Sequence, residues 1–159
     1  MLTSTAITRR RQTNDDDALL RALFAESRDD LALLPPVLID MQVRAQGADY
    51  AARFPGARHE IVMADGVDAG RLLVDFGRDI VRVVDVTVVK ARRGEGIASA
   101  TLRDVIAEAG PRPVVLTVWT ANAGARRLYQ RLGFALVGVD TGEYVEMRHE
   151  ATTQKGSDW

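Results

Sequence analysis

The stretch IVRVVDVTVVKARRGEGIASA, residues 80–100, decides how the rest of the chain is interpreted. Its first half, Ile80 to Val89, is β-branched and rich enough in valine to predict a central strand. The second half is basic and contains glycine, and it leads into a predicted helix from about Ile97 to Ala109. Unpaired backbone N–H groups at such a helix start can receive a pyrophosphate, and Gly94 and Gly96 allow close approach of the backbone. The stretch therefore predicts a phosphate-binding loop.

Two other kinds of phosphate loop fit these residues poorly. A Walker loop requires lysine and then serine or threonine after its second glycine, whereas Ile97 and Ala98 follow Gly96. A dinucleotide fingerprint requires an acidic residue about twenty positions later, where Trp119 and Thr120 stand. The remaining alternative is that the two glycines form a tight turn beside solvated arginines.

Two helices are predicted before this stretch, after a short apolar segment around residues 6–7. Thr13 or Asn14 caps the first helix, and the acidic residues of its first turn suit the helix dipole. Its buried face is marked by Leu19, Leu20, Leu23 and Phe24. The second helix begins at Pro36 and ends near Phe54. It carries Leu38, Met41 and Ala45 at helical spacing.

A mixed sheet is predicted from the strands that surround these helices. Asp65-Gly66 is a strong hairpin turn between two alternating strands. The order strand, helix, strand from Ile80 to Trp119 predicts a right-handed crossover with parallel strands. The last elements are a helix from about Ala123 to Leu132 and two short strands, Phe134 to Val139 and Glu143 to Met147.

Composition limits the classes of protein that need to be considered. The 159 residues, of which 47% are hydrophobic and 27% charged, predict one domain over residues 1–150 and a polar C-terminal tail over 151–159. Cysteine is absent, which excludes disulfides, thiolate metal sites and cysteine nucleophiles. His59 and His149 are too isolated to suggest a triad or a metal site. Without a membrane-spanning run or a secretory charge pattern, a cytoplasmic location is expected.

The formal net charge of -1 gives no overall attraction for nucleic acid. Local basic residues are nevertheless present at Lys90, Arg92, Arg126, Arg127 and Arg131. They leave three interpretations open: nucleic-acid binding, contact with the phosphates of a cofactor, and solvation on exposed faces. Since no aromatic residues interleave with them, the first ranks below the other two, and no nucleic-acid partner is expected.

The loop and a later segment together resemble the GNAT superfamily of N-acetyltransferases. The central motif of that family is arginine or glutamine, two residues, glycine, one residue, then glycine or alanine, and Arg93, Gly96 and Ala98 match it in register. A second family signature is matched by Asn122, Ala125, Leu128, Tyr129, Gly133 and Phe134. The resemblance covers about Ile61 to Met147. It implies the α/β GNAT fold, with a mixed, mostly antiparallel central sheet, a splayed parallel strand pair and helices on both faces.

The resemblance also implies that acetyl-CoA is the cosubstrate. Backbone groups near Val86 and Val88 would pair with the pantetheine arm as if it were an added strand. A bulge in this strand would open the cleft between it and the parallel strand that begins near Val114. Asn122 would support the cofactor. The expected contacts to the pyrophosphate and its surroundings are Arg93, Gly94, Gly96, Ile97, Ala98 and Ser99.

Acyl transfer to an amine requires one group that handles the amine proton and another that protonates the departing thiolate. By the family match Tyr129 takes the acid role, although the apolar stripe over residues 125–132 would make it a core residue. Asp85 is the candidate base, or it attracts a cationic amine. The alternative for Asp85 is an ion pair with an arginine such as Arg82.

The resemblance thus predicts an acetyl-CoA-dependent N-acetyltransferase that acts on a primary amine of a small molecule or peptide by direct transfer. A non-catalytic acyl-CoA-binding sensor on the same fold is the alternative. Acceptor selection is expected from residues 28–36 and from the last hairpin. The carboxylates of these segments, Asp29, Asp30, Asp140 and Glu143, would favour a cationic amine. No membrane partner and no metal are expected, and a homodimer is compatible with the sequence.

Overall fold

The computed structural model describes residues 5–27, 33–138 and 142–151. Its strands are β1 Ile7–Arg11, β2 Arg58–Ala64, β3 Val67–Phe76, β4 Val81–Val88, β5 Val114–Trp119, β6 Ala135–Val137 and β7 Tyr144–His149. Its α-helices are α1 Asp17–Glu26, α2 Pro36–Arg53, α3 Ile97–Ala109 and α4 Ala123–Arg131. The strands form one sheet in the order β1-β2-β3-β4-β5-β7-β6. Neighbouring strands are antiparallel except for the parallel pair β4–β5, so the predicted mixed sheet is confirmed.

The turn between β2 and β3 adopts the predicted hairpin conformation. Asp65 has a φ of 50° and Gly66 a φ of 79°, and positive φ at both central residues is what a two-residue hairpin of this kind requires. The segment around residues 6–7, in contrast, is the start of an edge strand that was not predicted. Three successive arginines give β1 no alternation of apolar and polar residues, so no strand pattern is visible in the sequence. In the structure, the side chains of Arg9 and Arg10 are held by ion pairs with Glu108, Asp16 and Asp68.

Two layers of helices cover the sheet. On one face, α3 buries Leu102, Val105 and Ala109 in a continuous apolar cluster with alternate residues of β3, β4 and β5. On the other face, Leu20 and Leu23 of α1 are buried beside the β3–β4 pair. Since successive strand residues point to opposite faces, β2, β3 and β5 also present buried apolar side chains to this second face, at Ile61, Leu73 and Val115.

The side of α2 that packs against the rest of the protein is not the side that carries its predicted apolar residues. Its predicted bounds are confirmed, but Leu38 and Met41 are 41% and 62% exposed, and no residue of α2 is buried. The partly buried side of the helix carries Ile39, Asp40, Val43, Gln46 and Tyr50. A polar pattern with few large apolar residues gives no dominant helical face, so the contacts of α2 are set by its neighbours. Over the described ranges, no helix has the length and hydropathy needed to cross a membrane.

Asp16 anchors the start of the first helical segment to the edge of the sheet. It is 5% exposed, and its carboxylate accepts hydrogen bonds from the guanidinium of Arg10 at 2.6 and 3.0 Å. The same carboxylate accepts from the backbone N–H of Thr13 at 2.7 Å, in a capping box. The hydrogen bond to Arg10 is the main cause that lowers the pKa of Asp16.

We expect Asp16→Asn to lower the free energy of unfolding by about 2 kcal/mol at pH 7, because it weakens charge-assisted hydrogen bonds to a half-buried Arg10. A carboxyl whose pKa is lowered on folding stabilises above the unfolded pKa of about 4 and loses that effect as pH falls through the folded value. Urea unfolding at pH 7 and pH 3 should therefore show a loss that shrinks in acid. Asp15→Asn is the matched control, since Asp15 is exposed in the same turn. An equal loss for both variants would contradict the assignment.

Candidate active site

A bulge in β4 interrupts the alternation of its side chains between the two faces of the sheet. Leu73 of β3 pairs with Asp85, whereas the next residue, Val74, pairs with Val83. One residue of β4, Val84, is therefore extra, as in a β-bulge. Valines on either side of the bulge all pack in the cluster under α3, at positions Val81, Val83, Val86 and Val88. The polar residues after the bulge consequently point to the face that α1 and α2 cover.

The parallel pair β4–β5 separates just beyond this bulge. Ladder partners run from Val81 with Val114 to Val83 with Leu116 and then stop, although β4 continues to Val88. Beyond Val83, the edge of β4 that faces β5 has backbone N–H and C=O groups without partners in β5. These groups lie at the carboxyl ends of the two parallel strands. Ligands in open α/β sheets bind at this kind of position.

The predicted phosphate loop lies at the same end of the sheet. Gly94 and Gly96 have φ angles of 83° and 80°, and a Cβ atom built on either would meet open space within 4 Å. Gly96 is the N-cap of α3, and no side chain caps this helix end. The amides of the first helical turn, from Ile97 to Ser99, therefore remain available to an anion. The arrangement fits a diphosphate.

A cleft of about 580 Å³ opens in front of this helix start. Its lining includes Val88, Arg92, Arg93, Gly94, Gly96, Ile97, Ala98, Ser99, Gly124, Ala125, Leu128 and Arg131. Seven of the predicted cofactor residues are thus brought together. Val86 and Asn122 are not part of the lining: Val86 packs against the core, and the side chain of Asn122 caps α4 by accepting from the N–H of Ala125 at 3.0 Å. Arg92 and Arg131 also line the cleft, which agrees with the cofactor-phosphate interpretation, although the guanidinium of Arg92 is paired with Glu95 at 3.1 Å.

The loop is also attached to the end of α1. Arg93 donates from Nε to the carbonyl of Val88 at 3.2 Å and from Nη2 to the carbonyl of Glu26 at 3.4 Å. The carboxylate of Glu26 accepts a short hydrogen bond from the backbone N–H of Lys90. These bonds fix the loop from both sides. The charge of Arg93 is therefore held close to the cleft by contacts to backbone carbonyls.

Tyr129 on α4 lies between the apolar core and the opened strands. Its ring packs against Phe134 with centroids 5.9 Å apart, and it borders the core cluster. Burial raises the pKa of its hydroxyl, and the nearby charge of Asp85 raises it further. Tyr129 therefore stays protonated at neutral pH, as a proton donor must. Packing in the core and an acid role are compatible for this residue.

Asp85 has neighbours other than the one expected. Its carboxylate accepts a hydrogen bond from the hydroxyl of Thr87 at 2.7 Å and lies 3.6 Å from Nε of Arg71. The expected alternative, an ion pair with an arginine, is therefore present, but the arginine is Arg71 and not Arg82, which is paired with Glu146 at 3.5 Å. Burial raises the pKa of Asp85, and Arg71 and Thr87 offset that shift in part. A raised pKa is typical of a carboxylate that exchanges protons.

Arg71 and Tyr50 are polar residues near Asp85 that the sequence did not single out. The guanidinium carbon of Arg71 lies 5.4 Å from the centroid of the Tyr50 ring. A weak signal for Arg71 exists, because it is a lone charge in the apolar run Ala69 to Val74. Its register opposite Thr87 follows from strand pairing and is not visible in the sequence.

Parts of the expected acceptor region lie outside the described residues. This holds for Asp29, Asp30 and Asp140. Glu143 is described and is exposed next to β7. His149 packs against Phe134 with ring centroids 5.5 Å apart, and His59 lies on β2, away from the cleft. Among the described residues, no cluster of three or more histidines and carboxylates could hold a metal ion.

Comparison with known proteins gives curated relatives and similar structures. Streptothricin acetyltransferase from Streptomyces lavendulae is 34% identical over 88 residues, a match that covers 52% of this chain and 47% of that protein. The match thus spans about half the length of the curated relative. An acetyltransferase from Thermus thermophilus superposes with a TM-score of 0.71 at 17% identity, over 94% of this chain and 99% of the other. YncA from Salmonella typhimurium, solved with its cofactor acetyl-CoA, superposes with a TM-score of 0.61 at 24% identity, over 96% of this chain and 98% of the other.

The similar structures confirm the predicted fold, and a family model decides the family. The model described as the acetyltransferase (GNAT) family matches residues 45–134, which is more than half of the 159 residues. The matched region contains the bulged strand, the glycine-bearing helix start and Tyr129. This chain belongs to the acetyltransferase (GNAT) family.

Proposed function

We propose that this protein is an acetyl-CoA-dependent N-acetyltransferase that transfers the acetyl group directly to a primary amine of a small molecule or peptide. One observation carries the proposal. The open amides that begin α3 line the cleft beside the end of β4, and Asp85 on the same strand is near enough to Tyr129 for its charge to raise the pKa of that hydroxyl. A site that holds a diphosphate at one end and proton-handling groups at the other suits acyl transfer from a coenzyme A thioester.

The cleft residues would hold the cosubstrate through two kinds of contact. Amides from Gly94 to Ser99 would bind the diphosphate at the positive end of α3, and Arg92 and Arg131 would add positive charge at the cleft wall. The unpaired backbone of β4 up to Val88 would bind an extended pantetheine arm by adding a strand. The acetyl thioester supplies the activated acyl group when it is bound.

Asp85 and Tyr129 would then manage the protons of the reaction. An amine must be neutral to attack, and Asp85 would accept its proton directly or through water, aided by a pKa that burial raises. Tyr129 would donate its proton to the leaving sulfur, a transfer that needs only modest assistance, since the ordinary pKa of a tyrosine hydroxyl, about 10, is not far above the thiol value of about 8.5. No covalent bond between the protein and the acyl group is needed in this scheme.

The relative named above gives one acceptor class to include in a test. Streptothricin acetyltransferase acts, by its name, on streptothricin, but the match covers half of that protein. Streptothricin therefore belongs in a panel of amines beside amino acids, polyamines and peptides with free N-termini.

The proposal is tested by thiol release from acetyl-CoA across this panel, with calorimetry for coenzyme A binding to the purified chain. We expect coenzyme A to bind and thiol release to require an amine. Tight coenzyme A binding without release for any amine would contradict an enzyme and favour the non-catalytic sensor. Absence of binding would contradict both functions.

A further inference from the structure

A second, smaller cavity lies on the face of β3 and β4 that α1 and α2 cover. Its volume is about 80 Å³. Leu20, Leu23 and Phe24 of α1 form its apolar side. Its polar lining is Ser27, Gln46, Arg71, Asp85 and Thr87. Since Asp85 belongs both to this cavity and to the proposed reaction site, the cavity adjoins the place where an acceptor amine would react.

Arg71 is the unusual member of this cavity. It is 8% exposed, yet its Nε is buried without a hydrogen-bond partner among the described residues. The 3.6 Å between its Nε and the Oδ2 of Asp85 is an ion-pair distance that is too long for a hydrogen bond. The other oxygen of Asp85 is taken by Thr87 at 2.7 Å. Charge is thus compensated at Arg71, whereas its hydrogen-bonding capacity is not.

Buried donors without partners are costly, so a built site of this kind indicates a missing acceptor group. A guanidinium presents five N–H donors in a planar fork, and a carboxylate matches that fork with two parallel hydrogen bonds. The cavity has room for such a group, but it is far smaller than the roughly 300–1,000 Å³ of pockets that enclose drug-sized ligands. A carboxylate on a short stem is the chemistry that fits.

We propose that this cavity binds the carboxylate of the acceptor through Arg71, so that the preferred acceptors are small amino acids. The carboxylate would accept hydrogen bonds from the guanidinium of Arg71. The amine would lie beside Asp85 and point toward the gap between β4 and β5. Opposite charges only 3.6 Å apart suit a ligand whose amine and carboxylate are equally close, as in an α-amino acid. The inference rests on the proposed function, because it specifies the acceptor of that same site.

The first test compares pairs of amines that differ by the carboxylate alone. Glycine is compared with methylamine, alanine with ethylamine, and serine with ethanolamine, by thiol release with the unaltered protein. A charge-assisted hydrogen-bonded pair gives about 10- to 100-fold in kcat/KM, so the amino acid of the accepted pair should exceed its decarboxylated partner by that factor. Decarboxylated amines that are acetylated equally well would overturn the inference and leave the proposed function intact. Release with no amine would overturn both.

The second test removes the guanidinium group of Arg71. Arg71→Gln should lower kcat/KM for the amino acid about 10- to 100-fold more than for its decarboxylated amine, and Arg71→Lys should recover part of this difference. Arg82→Gln is the matched control, because it removes a guanidinium from β4 outside the cavity. A fall in kcat that is equal for both amines of a pair would make Arg71 a positioning residue for Asp85 and overturn the inference. If Arg71→Gln fails to fold, Arg71→Lys and the first test still decide.

Discussion

Gly96→Asp should abolish the binding of coenzyme A while the protein stays folded. The φ of 80° at Gly96 is a conformation that aspartate tolerates better than most residues, at a cost of about 1–2 kcal/mol. Its carboxylate would stand where the amides of α3 receive the diphosphate, so like charges would replace a favourable helix end. We expect Kd for coenzyme A to rise at least about 100-fold. Calorimetry on the purified variant measures this directly.

The hairpin turn supplies a matched control for this variant. Gly66 has a φ of 79° and open space around its missing Cβ, as Gly96 does, but it lies in the turn between β2 and β3. Gly66→Asp therefore introduces the same charge and the same backbone strain away from the cleft. It should lower the thermal midpoint by a similar amount and leave Kd for coenzyme A unchanged. Equal affinity of the two variants for coenzyme A would show that the N-terminus of α3 does not bind the diphosphate.

Tyr129→Phe should lower kcat by about 100- to 1,000-fold and leave Kd for coenzyme A unchanged. Removal of one positioned general acid typically costs this much, and phenylalanine retains the contact to Phe134. The raised pKa of Tyr129 is consistent with a hydroxyl that stays protonated until it donates. Single-turnover thiol release with a saturating accepted amine separates the chemical step from binding.

Tyr144→Phe is the corresponding control, since it deletes a hydroxyl from a tyrosine that is 62% exposed on β7 and outside the cleft lining. Its kcat should match that of the unaltered protein. If kcat of Tyr129→Phe is also unaltered, Tyr129 is a core residue and the proton must come from elsewhere. Thermal unfolding of both variants excludes a loss of structure as the cause.

The parts of the fold that sequence predicted well have strong local signals. Helix α3 and strand β5 match their predicted bounds because glycine and proline border regular apolar patterns. The hairpin at Asp65 was equally clear, since its residue pair tolerates positive φ. The phosphate loop was predictable for the same reason, because its two glycines stand between a buried strand and a helix.

The environment of Asp85 could not be predicted, because it depends on strand register. Arg71 comes beside Asp85 through the pairing of β3 with β4 and through one extra residue in β4. Local sequence does not reveal where a bulge falls, and a shift of one residue would place other side chains together. Helix α2 shows the same limitation, since its contacts to Arg71 through Tyr50 and its place beside the cavity through Gln46 follow from tertiary packing and not from its own apolar pattern.

The extra residue at Val84 makes the length of β4 more important than its composition. Exchange among valine, isoleucine and leucine in this strand keeps every side chain on its own face, so sequence can drift there over evolutionary time. Loss of the codon for Val84 would leave Asp85 and Thr87 on their present face, because Val83 and Asp85 would then alternate regularly, but it would remove the bulge beyond which β4 and β5 separate. Insertions and deletions in this segment should therefore be purged from natural lineages even where substitutions accumulate freely.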